Sequence, residues 1–302
     1  MADFGADVPF ARVVEKLKEH YGITVPISAA TTLTYRHAHG LTTADVQPLA
    51  PSRPTAVLIA EADGSMIPVV QCGGVGTDPR TDKRRQRNVA WKEARLSLVR
   101  NPDEVAPVFA VTLGDAQACG RQLKELTISA GLTRATRVHA LGDGAPWIAD
   151  QIEQQFGAQG RYLIDFYHLC DYLAAAASVC ASGNPTTWLD TQKIRLRCGE
   201  LAAVMSELDR HLEPESDSGD TPVRDAYRYI ANRPGQFDYP AAIANQLPIG
   251  SGEVESAHRY IIQKRLKLPG AWWNASNAQA MLNLRCLRAN HRWNDYWDQR
   301  AA

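Results

Sequence analysis

The sequence lacks any apolar run long enough to cross a membrane, and its start, Met1-Ala2-Asp3-Phe4, has no basic-then-apolar leader layout. It lacks net charge as well: 33 Lys and Arg balance 33 Asp and Glu. That balance weighs against a protein whose whole surface coats nucleic acid. Six cysteines, Cys72, Cys119, Cys170, Cys180, Cys198 and Cys286, form no CxxC pair. They fit neither a zinc site nor a disulfide framework and read as small, reduced apolar residues. No GxxxxGK[ST] or GxGxxG string is present, which removes the usual signatures of nucleotide hydrolysis and dinucleotide binding. There is no internal repeat. What remains is 302 residues, 45% hydrophobic and 22% charged, enough for a sizeable core. The composition reads as a soluble, cytoplasmic protein.

The charge is segregated. Basic residues gather at Arg80 to Arg87, including Arg84 and Arg85, at Arg259 to Lys267, and at Arg285 to Arg292, while acidic ones gather between Asp209 and Asp225. Such segregation allows a basic groove on a neutral molecule, although any one run alone equally suits a solvated helix face.

Helical spacing over residues 9–20, a stop at Gly22, and a second helix from about Ser28 to His39 outline a helix-turn-helix. That pair suits DNA binding and plain packing equally. A Pro/Thr/Ser stretch near Pro48 to Thr55 reads as a linker. Thr55 to Ala60 and Met66 to Gln71 read as strands joined in a hairpin at Asp63-Gly64. Ala94, Leu96 and Leu98 alternate with Glu93, Arg95 and Ser97 as a third strand. Asp115 caps a helix running to about Ala130, Val138 to Leu141 is a fourth strand, Pro146 to about Phe156 a helix, and Tyr162 to Phe166 a fifth strand. Three strands, helix, strand, helix, strand is the order of a ribonuclease H-like mixed-sheet α/β core. The expected organisation is an N-terminal helical segment (1–50), the first part of the core (51–168), a helical insertion (169–245), and a C-terminal part of the core (246–302).

Three acidic residues lie in distinctive settings. Asp63 in Asp-Gly suits a tight turn. Asp143, between Gly142 and Gly144, sits where open α/β sheets bind ligands, and equally suits a cap for the helix at Pro146. Glu255, in Gly250-Ser251-Gly252-Glu253-Val254-Glu255-Ser256, is favoured by the helix dipole, as is Glu253. At helical spacing Glu255 shares a face with Arg259, Ile262 and Leu266, beside Lys264, Arg265 and Lys267. Carboxylates from distant segments suit hard cations, and two such metals can stabilise both the attacking and leaving oxygens of a phosphodiester displacement.

The strings Gly142-Asp143-Gly144-Ala145-Pro146-Trp147-Ile148, Asp165-Phe166-Tyr167-His168, Leu247 to Ser256, and Gln263-Lys264-Arg265-Leu266-Lys267-Leu268-Pro269-Gly270-Ala271-Trp272-Trp273 resemble bacterial insertion-sequence transposases of the DDE class, most closely the ISKra family. The resemblance covers roughly residues 50–300. It implies a ribonuclease H-like catalytic core with a helical insertion, using Mg²⁺ or Mn²⁺. It also implies cleavage at element ends followed by attack of the freed 3′-hydroxyl on target DNA. Asp63, Asp143 and Glu255 match the metal-binding positions, and Glu255 is preferred to Glu253 because it directly follows Val254. Asp165 and His168 match an Asp-x-x-His signature, with His168 either supporting the reaction or simply satisfied at a strand end. Arg259, Lys264, Arg265 and Lys267, with Arg84 and Arg85, are the expected phosphate contacts. Trp272 and Trp273 either stack on an unpaired base or, the favoured reading, anchor the helix. The implied partners are terminal inverted repeats, target DNA and further copies of the chain, since joining two ends takes at least two active sites.

Two alternatives remain at this stage. A ribonuclease H-like nuclease or resolvase would cleave without joining. A catalytically inactive, transposase-derived DNA-binding protein would bind without metal.

Overall fold

The computed structural model describes residues 1–46, 54–72, 87–214 and 219–301. The N-terminal helices are α1 (Ala2–Asp7), α2 (Phe10–Tyr21), α3 (Ile27–His39) and α4 (Thr43–Val46). Strands β1 (Val57–Cys72), β2 (Arg87–Arg100) and β3 (Val108–Thr112) follow, then α5 (Ala116–Ser129), β4 (Arg137–Gly142), α6 (Pro146–Phe156) and β5 (Gly160–Ile164). Next come α7 (Phe166–Cys180), α8 (Pro185–Arg197), α9 (Leu201–Asp209), α10 (Pro222–Ala231) and α11 (Tyr239–Ala244). The chain closes with α12 (Gly252–Ala257), a π-helical segment (His258–Gln263), α13 (Lys264–Leu266), α14 (Ala275–Ala289) and α15 (Trp293–Ala301). Three strands, a helix, a strand, a helix and a strand follow one another as in a ribonuclease H-like core, but the first two expected strands are the single strand β1, the expected third is β2, and β3 was not foreseen. The chain carries both antiparallel pairing, among β1 to β3, and parallel pairing, between β4 and β5, and the fold class is α/β.

The described residues fall into two compact units, Met1–Thr136 with Glu253–Ala302, and Arg137–Gly252. In the first, β2 pairs antiparallel with both β1 and β3. Its core joins Ile67, Leu96, Leu98 and Val111 to Val254, Ile261 and Ile262, and to Met281 and Leu284 of α14. Burying one such side chain contributes about 1.5–3 kcal/mol. The N-terminal helix pair forms as expected, with α2 ending at a left-handed Gly22. Asp115 caps α5 by accepting from Ala118 N.

At the edge strand β3, two amide side chains from the α14 region occupy the backbone. Gln279 accepts from Leu113 N and donates to Val111 O, at 2.7 and 2.9 Å. Asn290 accepts from Phe109 N and donates to Phe109 O, at 2.8 and 2.9 Å.

One local expectation is overturned. Asp63-Gly64 is no hairpin turn: β1 runs straight through it, Asp63 lying opposite Leu96 and Gly64 opposite Arg95. Glu93 occupies the space a Cβ at Gly64 would need, so the glycine serves close cross-strand packing rather than chain reversal. Continuous pairing extends out to Cys72 opposite Arg87.

In the second unit, β4 and β5 pair in parallel and α7 to α11 supply a helical core. Leu169, Leu173, Leu196, Leu208, Ala226 and Ile230 are buried within this unit. Among the described residues, no helix is long and apolar enough to cross a membrane.

Candidate active site

In the first unit, Asp63 projects from the middle of β1 with its carboxylate about a quarter exposed. Gly64 N donates to its Oδ1 at 2.6 Å. Its Oδ2 stands 3.1 Å from His258 Nε2. The separation is within ion-pair range, but the direction of approach falls short of a hydrogen bond, and both ring nitrogens of this buried histidine lack one. Two residues back along the same strand, buried Glu61 accepts from Val254 N at 2.8 Å through Oε2. Strand β1 therefore meets the α12 and π-helical segment twice, at Val254 and His258, on either side of Glu255.

The two glutamates of α12 have different fates. Arg100 holds Glu253 through Nε, 2.9 Å from each carboxylate oxygen, and through Nη2 at 2.6 Å. Such a bidentate pair occupies the oxygens a cation would need. Glu255 is exposed and has no hydrogen bond or ion pair among the described residues.

The buried stripe of this segment is Val254, Ala257, His258, Ile261, Ile262, Arg265 and Leu266, at helical spacing. Ile262 and Leu266 thus face the core instead of sharing a face with Glu255. Arg259, Lys264 and Lys267 are exposed. Arg265 is corrected from a phosphate contact to a core residue: it is 3% exposed, donates Nε to Gly5 O, and lies between the rings of Phe10 and Trp273 at 4.9 and 4.8 Å. Burial pulls its pKa down to about 10. Sequence reasoning missed His258, yet the stripe carries the signal: a histidine at an apolar position three residues past Glu255.

Trp273 is the expected anchor. It is buried, donates Nε1 to Leu266 O, and exchanges backbone bonds with Pro68 and Val70 of β1. Trp272 is exposed. Of the C-terminal basic run, Arg285 and Arg292 are buried, and Arg288 pairs with Asp3 and Asp7. Arg285 donates to Ile261 O and Tyr260 O of the π-helical segment, supporting carbonyls left by its wider turn. Arg84 and Arg85 lie outside the described residues.

In the second unit, Asp143 follows the last residue of β4. It does not cap α6, whose N-cap is Ala145; its Oδ1 accepts from Ala145 N at 2.8 Å. Asp165 caps α7 through Oδ1, accepting from Tyr167 N and His168 N. Its Oδ2 accepts from Ser251 N and Oγ at 2.6 and 2.7 Å. With four donors on a 3%-exposed side chain, Asp165 is a structural link between β5 and the Ser251 loop. His168 packs its ring on Tyr172 and Tyr229.

The donor set fits a hard divalent cation in kind, since Asp63, Asp143 and Glu255 offer only carboxylate oxygens. Among the described residues, no group of three or more His, Cys, Asp or Glu side chains is gathered for a metal ion.

A model of an uncharacterised protein family, UPF0236, matches residues 129–296, more than half of the chain. The chain belongs to UPF0236. The matched region of this UPF0236 chain contains Asp143, Asp165, His168 and Glu255, and leaves out Asp63. A UPF0236 protein of Caldanaerobacter subterraneus subsp. tengcongensis is 23% identical over 159 residues, covering 51% of this chain and 31% of the relative. The chain spans about a third of the length of that curated relative. Among solved structures, the Drosophila P element transposase strand transfer complex is similar at 10% identity with a TM-score of 0.30, covering 95% of this chain and 80% of that one.

Proposed function

We propose that the chain is a DDE-class DNA transposase, close to the ISKra family in its motifs, with Asp63, Asp143 and Glu255 as its metal-binding acids. The observation that carries this reading is the contact of Asp63 with His258, which brings the β1 carboxylate to the helical segment bearing the unpaired Glu255. The capture of Glu253 by Arg100 supports the choice of Glu255. When bound, Mg²⁺ or Mn²⁺ supplies charge stabilisation at the attacking and leaving oxygens of a phosphodiester.

The chain's own residues have separable tasks in this reading. His258 and Gly64 N restrain the Asp63 carboxylate from opposite oxygens. Glu255 stays exposed and open to ligands. Arg259, Lys264 and Lys267, exposed along the same segment, contact DNA phosphates, which positions the duplex without reading its sequence. The reading requires Asp143 to complete the set when cation and DNA bind. The substrates are the ends of the element and target DNA, and pairing two ends requires at least two copies of the chain.

The test uses purified protein, labelled DNA carrying the ends that flank its gene, and Mg²⁺ or Mn²⁺, beside Asp143→Ala and Glu255→Gln variants. Metal-dependent nicking and joined products, both lost in the variants, are expected. Nicking without joining would indicate a ribonuclease H-like nuclease. Metal-independent binding without cleavage would indicate a DNA-binding protein that no longer catalyses.

A further inference from the structure

Three consecutive peptide groups at the end of β4 are held from outside the strand. Asp165 N donates to Gly142 O at 2.8 Å, Tyr229 Oη to Asp143 O at 2.6 Å, and Arg233 Nε to Gly144 O at 2.8 Å. The Gly144 N–H donates to Tyr162 Oη at 3.0 Å. Within the turn, Ala145 N fixes Asp143 Oδ1, leaving Oδ2 without a hydrogen bond or ion pair among the described residues. We propose that Tyr229 and Arg233 are positioning residues that hold the Asp143 turn ready to take a divalent cation. The inference rests on the reading of Asp143 as a metal ligand, and it gives the helical stretch around α10 a specific task.

Packing alone does not explain these two side chains. Tyr172 stacks on the Tyr229 ring at 4.2 Å, and His168 packs beside both, so a phenylalanine would fill the same space. The hydroxyl is directed instead at the carbonyl of the acidic residue itself. Arg233 lies 4.0 Å over the Tyr229 ring and donates Nη1 to Tyr229 O at 2.9 Å, so the two act as one clamp. The turn is shaped to receive it. Gly144 adopts φ 87°, and a Cβ there would lie 2.5 Å from Tyr229 Oη and 2.9 Å from Arg233 Nε. Only a glycine satisfies both demands.

The test compares the full chain with Tyr229→Phe, which removes only the donor oxygen, and Arg233→Gln, which removes the guanidinium. Mn²⁺ binding is followed by electron paramagnetic resonance without DNA, cleavage is titrated with Mn²⁺, and amide exchange at Gly144 and Ala145 is measured alongside the melting temperature. The expected result is an unchanged melting temperature, faster exchange at those two amides, and a loss of Mn²⁺ affinity of about tenfold, with the cleavage curve shifted to match. A merely structural role would move the melting temperature and leave the Mn²⁺ curve of the folded fraction in place. If Tyr229→Phe does lower the melting temperature, Arg233→Gln, at a half-buried position, carries the same comparison. Equal Mn²⁺ binding and cleavage in all three folded proteins would overturn the inference alone. An unmodified chain that neither binds Mn²⁺ nor cleaves would sink the metal-ligand reading and this inference with it.

Discussion

Asp63 Oδ2 lies 3.1 Å from Nε2 of His258, whose side chain is only 4% exposed. This carboxylate has two attachments, one to the proposed chemistry and one to the packing beneath it. Asp63→Ala is therefore expected to abolish cleavage and also to cost about 1–3 kcal/mol, because a buried imidazole loses its polar neighbour. Glu255→Gln is expected to abolish cleavage with less than about 0.5 kcal/mol change in stability, since the side chain is exposed and unpaired. Thermal melts beside cleavage assays separate the two outcomes, and equal destabilisation by both variants would contradict this division of roles.

Glu253 provides the converse case. Glu253→Gln breaks the bidentate pair with Arg100 at a partly exposed site, where such pairs contribute about 0.2–1 kcal/mol. Cleavage is expected to persist. Loss of cleavage with an unchanged melting temperature would transfer the metal-binding role from Glu255 to Glu253.

The cations of the α12 to α13 region should divide in the same way. Arg265→Ala removes a buried guanidinium between two rings and is expected to destabilise the fold by about 2–4 kcal/mol. Lys264→Ala and Lys267→Ala should leave stability unchanged and weaken DNA binding. Each is expected to lower the slope of log affinity against log salt by about one for the phosphate contact removed. Salt titrations of DNA binding check this, and unchanged slopes would remove these lysines from the interface.

Acid should weaken the second unit. His139 is buried with Nε2 2.8 Å from Pro248 O, and burial holds its pKa below the ordinary 6.5. The unfolded chain therefore takes up the proton first. Stability is complete above the unfolded value and falls as pH drops from about 6.5 toward the folded one. His37 in the first unit shifts in the same direction, chiefly through burial, so His139→Gln is expected to flatten part of the slope and not all of it. Denaturant unfolding between neutral pH and about pH 5 measures the difference.

Much of this architecture was legible in the sequence because it depends on period and local chemistry. The alternation of Ala94, Leu96 and Leu98 became β2, the stop at Gly22 ended α2, and Asp115 capped α5. Asp63-Gly64 was misread because Asp-Gly carries a strong local turn preference, which fourteen paired positions between β1 and β2 override. Arg265 was misread because charge suggested exposure, although its spacing from Val254, Ile261 and Ile262 placed it on the buried stripe. The clamp on Asp143 could not be read at all. Tyr229 and Arg233 lie more than eighty residues from the turn they hold, and no local rule connects a hydroxyl to a carbonyl across that separation.

The amide side chains of Gln279 and Asn290 have a consequence for how copies of this protein can assemble. An open strand edge invites another chain to add its own backbone, the commonest route by which sheets grow between molecules. Along β3 those positions are already taken by side chains of the same polypeptide. Extension of the sheet past β3 is closed, so copies of this chain cannot assemble by adding a strand at that edge.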